Sequence, residues 1–303
     1  MLSNQEMLFV TQASFVVRSA NRYMFVTMAS PTANTFVIAP DGVAEFSNFV
    51  DTVSLSGFTA IQGVKTRMLS GGDIVTLSNV IRGGWDNEIN GNLGGDSFFA
   101  LSGSQTRDLV LGGRDGDNIS VSGSSNGADW LNGNRDADTI SAGRTTVGSN
   151  VLRGGGGNDQ LFGGSTMDIL VGDFGTDRLR GNGGSDVFMM RTDDGIVDGI
   201  VLQNATQNAS DVDVIVDYSS GSDKIAIAGI ASTSDLVLTQ NGGNVLISSS
   251  SFTNGTTGTR FIAQVNNTTV ATVTNDIVIG NRADNFLASL TPDNFLNNSS
   301  LIL

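Results

Sequence analysis

Between Gly154 and Met189 an apolar residue returns every nine positions, at Leu161, Leu170, Leu179 and Phe188. Each stands two residues after an aspartate (Asp159, Asp168, Asp177, Asp186), and each block opens on glycine (Gly154, Gly163, Gly172, Gly181). The four blocks, GGGGNDQLF, GGSTMDILV, GDFGTDRLR and GNGGSDVFM, follow without a gap. Six residues rich in Gly and Asp predict a turn. Three residues with one apolar side chain in the middle predict a short strand whose centre points inward and whose neighbours point outward.

The phase persists upstream with one change. Nonapeptides come in pairs followed by a tripeptide, so the period becomes 21. Gly91, Gly112, Gly133 and Gly154 keep that spacing, as do Asp96, Asp117, Asp138 and Asp159, and Phe98, Ile119, Ile140 and Leu161. The alternate block keeps step through Asn87, Asp108, Asp129 and Asn150, followed by Ile89, Val110, Leu131 and Leu152. A fixed short period marks a solenoid. Two nonapeptides make one coil with turns on opposite edges, and coils stack about 4.8 Å apart. The expected core is a narrow column of Phe98, Val110, Ile119, Leu131, Ile140, Leu152, Leu161, Leu170, Leu179 and Phe188. The tripeptides Ala100–Ser102, Val121–Gly123 and Ala142–Arg144 always precede the same block of the pair, so they lengthen one edge only. That edge is expected to be looser, with weaker or absent binding sites.

Outside residues 82–189 the pattern loosens. In 1–81, Ser3-Asn4-Gln5-Glu6 fits a capping box for a short helix, while Ser14–Val17 and Tyr23–Met28 read equally as strands. DTVSLS (51–56) and DIVTLS (73–78) alternate 22 residues apart and read as early coils lacking glycine turns. A roll needs a cap over its open end, and 1–81 is long enough to be one. Residues 190–303 alternate Val and Ile with polar residues and predict strands that end the roll. The fold class is therefore all-β: a parallel β-roll solenoid with a β-rich C-terminal cap and a small N-terminal cap.

Composition narrows the chemistry. Of 303 residues 39 are Gly and 3 Pro, and net charge is −14. Of the 30 acidic residues only Glu6, Glu45 and Glu88 are Glu. Asp suits tight turns, where its oxygens lie near backbone carbonyls, and that is hard-cation chemistry. A chain this acidic does not suit a phosphate backbone, so no nucleic-acid partner is expected. With no Cys and no His, disulfides, thiolate metal sites, a Ser-His-Asp triad and an H-E-x-x-H zinc site are excluded. No apolar run is long enough for a transmembrane segment, and Met1–Val10 does not read as a Sec-type leader.

Stacked coils set each turn aspartate one strand spacing from the next. Two carboxylates about 5 Å apart repel by roughly 3 kcal/mol at an effective dielectric near 20. A column of them opposes folding unless a cation lies between. Glycine turns that bring carbonyls inward, added to the carboxylates, supply the hard oxygens calcium prefers, whereas magnesium demands a tighter octahedron. Solenoids also stack Asn or Asp ladders without metal, so the spacing leaves a metal-free ladder open.

These nonapeptides resemble those of the RTX (repeats-in-toxin) family, whose G-G-x-G-x-D-x-U-x unit builds a calcium-binding β-roll. DVDVIVDYSSGSDKIAIAGI (211–230) is similar to the block that follows the repeats there, and DLVLTQNGGNVLIS (235–248) to the next hairpin. The resemblance implies several Ca2+ ions, export by a type I (ABC-type) system through an uncleaved C-terminal signal, and folding outside the cell. It implies metal carboxylates at Asp96, Asp117, Asp138, Asp159, Asp168, Asp177 and Asp186. The same turns open on Gly91, Gly112, Gly133, Gly154, Gly163, Gly172 and Gly181. Asn87 and Asn150 depart from the pattern, as do Asp115, Asp136 and Thr166, which replace a turn glycine.

Three functions compete. The first is a secreted or cell-surface calcium-binding protein with no catalytic site, whose partners are calcium, the secretion machinery and a cell-surface polysaccharide. The second is a polysaccharide-active enzyme with paired aspartates, for which only about 80 residues precede the repeats. Its acidic cluster Asp193, Asp194 and Asp198 reads better as a solvated loop. The third is a metal-free solenoid binding a surface through a regular outward row of Thr or aromatic residues. Gln160, Phe162, Ile169, Val171, Arg178 and Arg180 form no such row, and Trp85 and Trp130 read as packing residues.

Overall fold

The computed structural model describes residues 7–8, 14–19, 22–28, 37–38, 44–46, 52–54, 64–77, 85–100, 106–121, 128–142, 149–197, 200–254 and 257–293. Through its repeats the chain winds as a solenoid that places alternate strands in two sheets, of 14 and 11 strands among the described residues, beside a separate two-stranded one. The first sheet carries three-residue strands, Ser97–Phe99, Asn118–Ser120, Thr139–Ser141, Gln160–Phe162 and Arg178–Arg180, parallel and in register. The second carries longer ones, Asn87–Leu93, Asp108–Arg114, Trp130–Arg135, Asn150–Gly156 and Asp168–Phe174, also parallel.

The three-residue strand expected from the nonapeptide thus holds on one sheet only. On the other, pairing runs on into the next turn, where Gly113 faces both Asn92 and Asn134. Successive turns have the same shape, so their backbones stay within hydrogen-bonding distance as they stack.

Both ladders cross the limits of the glycine-rich repeats. Thr52–Ser54 pairs in parallel with Ile74–Thr76, Thr52 opposite Ile74, so the two alternating segments are early coils. Ile74–Thr76 in turn pairs with Ser97–Phe99. Beyond the repeats, Asp213–Ile215 joins the first sheet and Lys224–Ile227 the second. Leu236–Asn241 and Asn244–Ser249 form the expected antiparallel hairpin, continued by Arg260–Val265. At the other end Ser14–Ser19 and Arg22–Met28 are strands of an antiparallel hairpin. The capping box at Ser3–Glu6 lies outside the described residues, as do residues 294–303.

The predicted column forms the core. Phe98, Val110, Ile119, Leu131, Ile140, Leu152, Leu161, Leu170, Leu179 and Phe188 are all fully buried. Burial of each stabilises by about 1.5–3 kcal/mol. Ala100, Val121 and Ala142, which begin the tripeptides, join the same core.

The two outer faces differ. Gln160, Arg178 and Arg180 on the first sheet are exposed. On the second sheet the outward residues Leu109, Trp130, Val151, Ile169 and Val187 stand in register and are buried in a second apolar cluster. Helix Asn281–Ser289 adds Ala283 and Phe286 to that cluster, with Leu290 just beyond it. Ile169 and Val171 point outward as expected yet are covered, and Trp85 and Trp130 pack. No helix among the described residues is long and apolar enough to cross a membrane.

Candidate metal centre

Each turn ends on an aspartate, or on asparagine at Asn87 and Asn150, two residues before a core side chain, so inward packing of the apolar residue fixes where the polar group stands. On the regular edge these aspartates form one column. The backbone N–H of Asp96 donates to Oδ1 of Asp117 at 2.7 Å, Asp117 to Asp138 at 2.7 Å and Asp138 to Asp159 at 2.7 Å. Asp159 donates to Asp177 at 2.8 Å and Asp177 to Asp213 at 3.0 Å. One oxygen of each carboxylate therefore joins its coil to the preceding one. The other oxygen, Oδ2 of Asp96, Asp117, Asp138, Asp159 and Asp177, is buried without a hydrogen-bond partner.

Those Oδ2 atoms point at the glycines that open the turns. A Cβ on Gly91 would strike the Asp96 carboxylate and the carbonyl oxygen of Gly112; one on Gly112 would strike Asp117 and the Gly133 carbonyl. Gly133 stands likewise against Asp138, Gly154 against Asp159 and the Gly172 carbonyl, Gly172 against Asp177, and Gly181 against Asp186. Glycine is required here because a side chain would fill the space where a carboxylate and the next coil's carbonyl converge. Among the described residues no three carboxylates gather at one point. A cation in these turns would draw on backbone carbonyls, a donor set that fits calcium and suits neither zinc nor copper.

The seven aspartates do not share one edge. Asp168 and Asp186 belong to the opposite column, which runs from Asp108 to Asp129 at 2.9 Å and from Asp129 to Asn150 at 3.1 Å. It continues to Asp168 at 3.0 Å, Asp186 at 2.9 Å and Asp223 at 3.0 Å. Here amides replace part of the charge. Asn87 Nδ2 donates to Asp108 Oδ1 at 2.6 Å, and Asn150 Nδ2 to Asp168 Oδ1 at 2.8 Å. Asp168 Oδ2 also accepts from the Gly164 N–H at 2.5 Å. Thr166 is in this turn and lacks the positive φ of its counterparts, so the expected local departure is present. Asp129 Oδ2 remains buried without a partner.

Asp115 and Asp136, by contrast, do not distort their turns. They take φ of 72° and 69°, the left-handed region that Gly94, Gly157 and Gly175 also occupy at the equivalent position, and Asp tolerates it better than most residues. Each also ties coils together, the Gly94 N–H donating to Asp115 at 3.0 Å and the Asp115 N–H to Asp136 at 2.9 Å.

Burial dominates the electrostatics. It pushes Asp96, Asp138 and Asp186 up to about 8, and Asp117 and Asp159 to about 7. In each, a backbone N–H pulls the other way and neighbouring carboxylates add to the rise. Asp168, with its extra hydrogen bonds, rises only to about 6. Asp129 and Asp177 are also raised, by burial first and then by the adjacent carboxylates Asp108 and Asp213 respectively. Without a counter-ion the ionised column is disfavoured.

Sequence reasoning did not place Asp213 or Asp223 in the columns. The signal was present, because each stands two residues before a buried isoleucine, Ile215 or Ile225. It was obscured by the missing glycines. Asp193 is held by Arg191 at 2.5 Å, and Arg191 also reaches Asp173 at 2.5 Å. Asp193 is thus one end of an ion-pair network, Asp194 opens a hairpin strand, and Asp198 lies outside the described residues.

Comparison with known families gives one match. The RTX calcium-binding nonapeptide repeat (4 copies) matches residues 124–145, 144–166 and 162–189. No curated protein matches the chain.

Proposed function

We propose that this calcium-binding β-roll, whose middle carries RTX repeats, is a member of the RTX family that is secreted or displayed at the cell surface and takes its fold when it meets calcium outside the cell. The observation that carries the reading is the row of buried carboxylate oxygens without partners at Asp96, Asp117, Asp138, Asp159 and Asp177, each facing a side-chain-free glycine. Leaving a buried charged acceptor unsatisfied costs at least about 1–3 kcal/mol, and the row repeats that cost in coil after coil. Calcium supplies the missing partner, with Asp carboxylates and turn carbonyls holding it between coils. Asp168 and Asp186 serve the opposite edge. Ions that bind only the folded chain stabilise it by mass action, once per site.

The chain acts by binding and by scaffold, not by catalysis. Its carboxylates are committed to stacking, and it contains no histidine. The likeness of its repeats to the RTX family supports export through a type I channel. Sites of the extracellular kind, with affinities near 10⁻⁴–10⁻³ M, stay unfilled in the cytosol and fill outside. The chain would then leave unfolded. Calorimetric titration with calcium, repeated with magnesium and followed by far-UV circular dichroism, tests the metal. Heat and β signal should appear together with calcium and not with magnesium. Deleting the last ~60 residues, a length suggested by the family resemblance, should retain the protein in the producing cell; continued export would place the signal elsewhere.

A further inference from the structure

The first sheet leaves its outer face open where the second is covered. Near its C-terminal end a groove of about 380 Å³ crosses three adjacent strands. Gln160 lies beside Arg178 and Phe162 beside Arg180, each pair in register. Val216 closes the far side. The two arginines project from the same face of one strand, about 6.6 Å apart. Among the described residues neither guanidinium has an ion pair or hydrogen bond, although the chain's net charge is −14. The other arginines nearby are engaged: Arg153 makes a bidentate pair with Asp173 at 2.8 Å, and Arg191 is held by Asp173 and Asp193. Asp217, next to Val216 in the chain, is turned onto the backbone N–H groups of Gly181 and Asn182, both at 3.0 Å. The arginines therefore present ten donor N–H bonds to solvent along the groove.

We infer that this groove binds an acidic polysaccharide, with Arg178 and Arg180 taking carboxylates of uronic-acid units. The guanidinium fork matches a carboxylate in two parallel hydrogen bonds. Half-buried Phe162 offers an apolar platform to the C–H face of a sugar ring, and the Gln160 amide is free to pair with hydroxyls. A groove of this volume lies at the small end of ligand sites, which suits a few sugar units of a longer chain. An acidic peptide shares the charge but has no ring face for Phe162. The inference rests on the calcium reading in one respect: metal on the acidic edges offsets their repulsion of a polyanion, leaving the arginine face to steer it.

The test is trigalacturonate binding to the full chain in calcium, with circular dichroism on the same samples. Wild type should bind trigalacturonate and ignore a neutral trisaccharide. The double substitution Arg178→Gln, Arg180→Gln should weaken binding at least tenfold while the calcium midpoint stays unchanged. Phe162→Ala should weaken it less. A folded wild type that ignores trigalacturonate, a double variant that binds as well as wild type, or tighter binding of hexaglutamate would overturn the proposal and leave the calcium reading standing. A chain whose dichroism ignores calcium overturns that reading instead, whatever the sugar does.

Discussion

The two edges of the roll are built from the same nonapeptide and solve the same electrostatic problem differently. On the regular edge every turn from Asp96 to Asp177 presents a carboxylate with one oxygen bonded and one buried without a partner. On the tripeptide-bearing edge, Asn87 and Asn150 interrupt the charge and donate to the neighbouring Asp108 and Asp168. An amide in a carboxylate column removes one charge and supplies a donor, so that edge partly satisfies itself. The comparison teaches that a repeat unit does not fix demand for a cation; the residues one coil away do.

The largest effect that can break this comparison is removal of calcium. If the regular edge depends on metal, exhaustive chelation at pH 7.5 should abolish most of the far-UV β signal, and excess calcium should restore it. A spectrum unchanged by chelator would mean that the buried oxygens are satisfied in another way.

Next in size is blocking one turn. Gly133→Val places a branched side chain against the Asp138 carboxylate, and should raise the calcium midpoint by more than tenfold. Asp138→Ala should raise it by about tenfold, roughly 1.4 kcal/mol, since Asp138 is bonded to the coils of both Asp117 and Asp159. Asp129→Ala, on the opposite edge, should shift it by a smaller factor. Equal shifts for the two alanine variants would erase the distinction between edges.

A pH series sharpens it further. The carboxylates of Asp96, Asp117, Asp138 and Asp159 sit at about 7 to 8 in the folded, metal-free chain, against 3.8 in the unfolded one. The folded state binds more protons, so metal-free stability is greatest below pH 4 and is lost as pH rises through 8. Calcium needs the deprotonated form. Its midpoint should therefore fall as pH is raised from 5.5 to 8, most steeply for sites on the regular edge. The smallest expected effect is Asn150→Asp. This restores charge beside Asp168 and removes the amide donor, so it should lower metal-free stability slightly and deepen calcium dependence, read as a modest change in melting temperature with and without calcium.

Much of this was legible in the sequence because the physics repeats. The core column from Phe98 to Phe188 followed from a single apolar position per nonapeptide, and the parallel register followed from its spacing. The early coils at Thr52 and Ile74 were visible through alternation alone. What escaped was long-range. The covered outer row from Leu109 to Val187 looks in sequence like scattered outward apolar residues, since Phe286, which the helix adds to their cluster, lies 99 positions beyond even Val187. The split of the aspartates between edges was implicit in the 21-residue period. The self-satisfaction of one edge by Asn87 and Asn150 needed the distances.

The spacing of the ladder contacts has a consequence for how the chain assembles. From Ser97 to Arg178 each strand meets the next only 18 to 21 residues away. Past the repeats the separations jump, Arg178 meeting Val214, Val187 meeting Lys224 and Ile225 meeting Ile277. Each doubling of loop length adds about 0.6 kcal/mol to closure, and non-local contacts slow folding. The repeats can therefore zip rapidly from neighbour to neighbour, while the final coils close last and slowest. A chain emerging end first through a channel would have its slow-closing segment outside before its fast-zipping one, which gives the C-terminal coils time to form a template for the rest to grow upon.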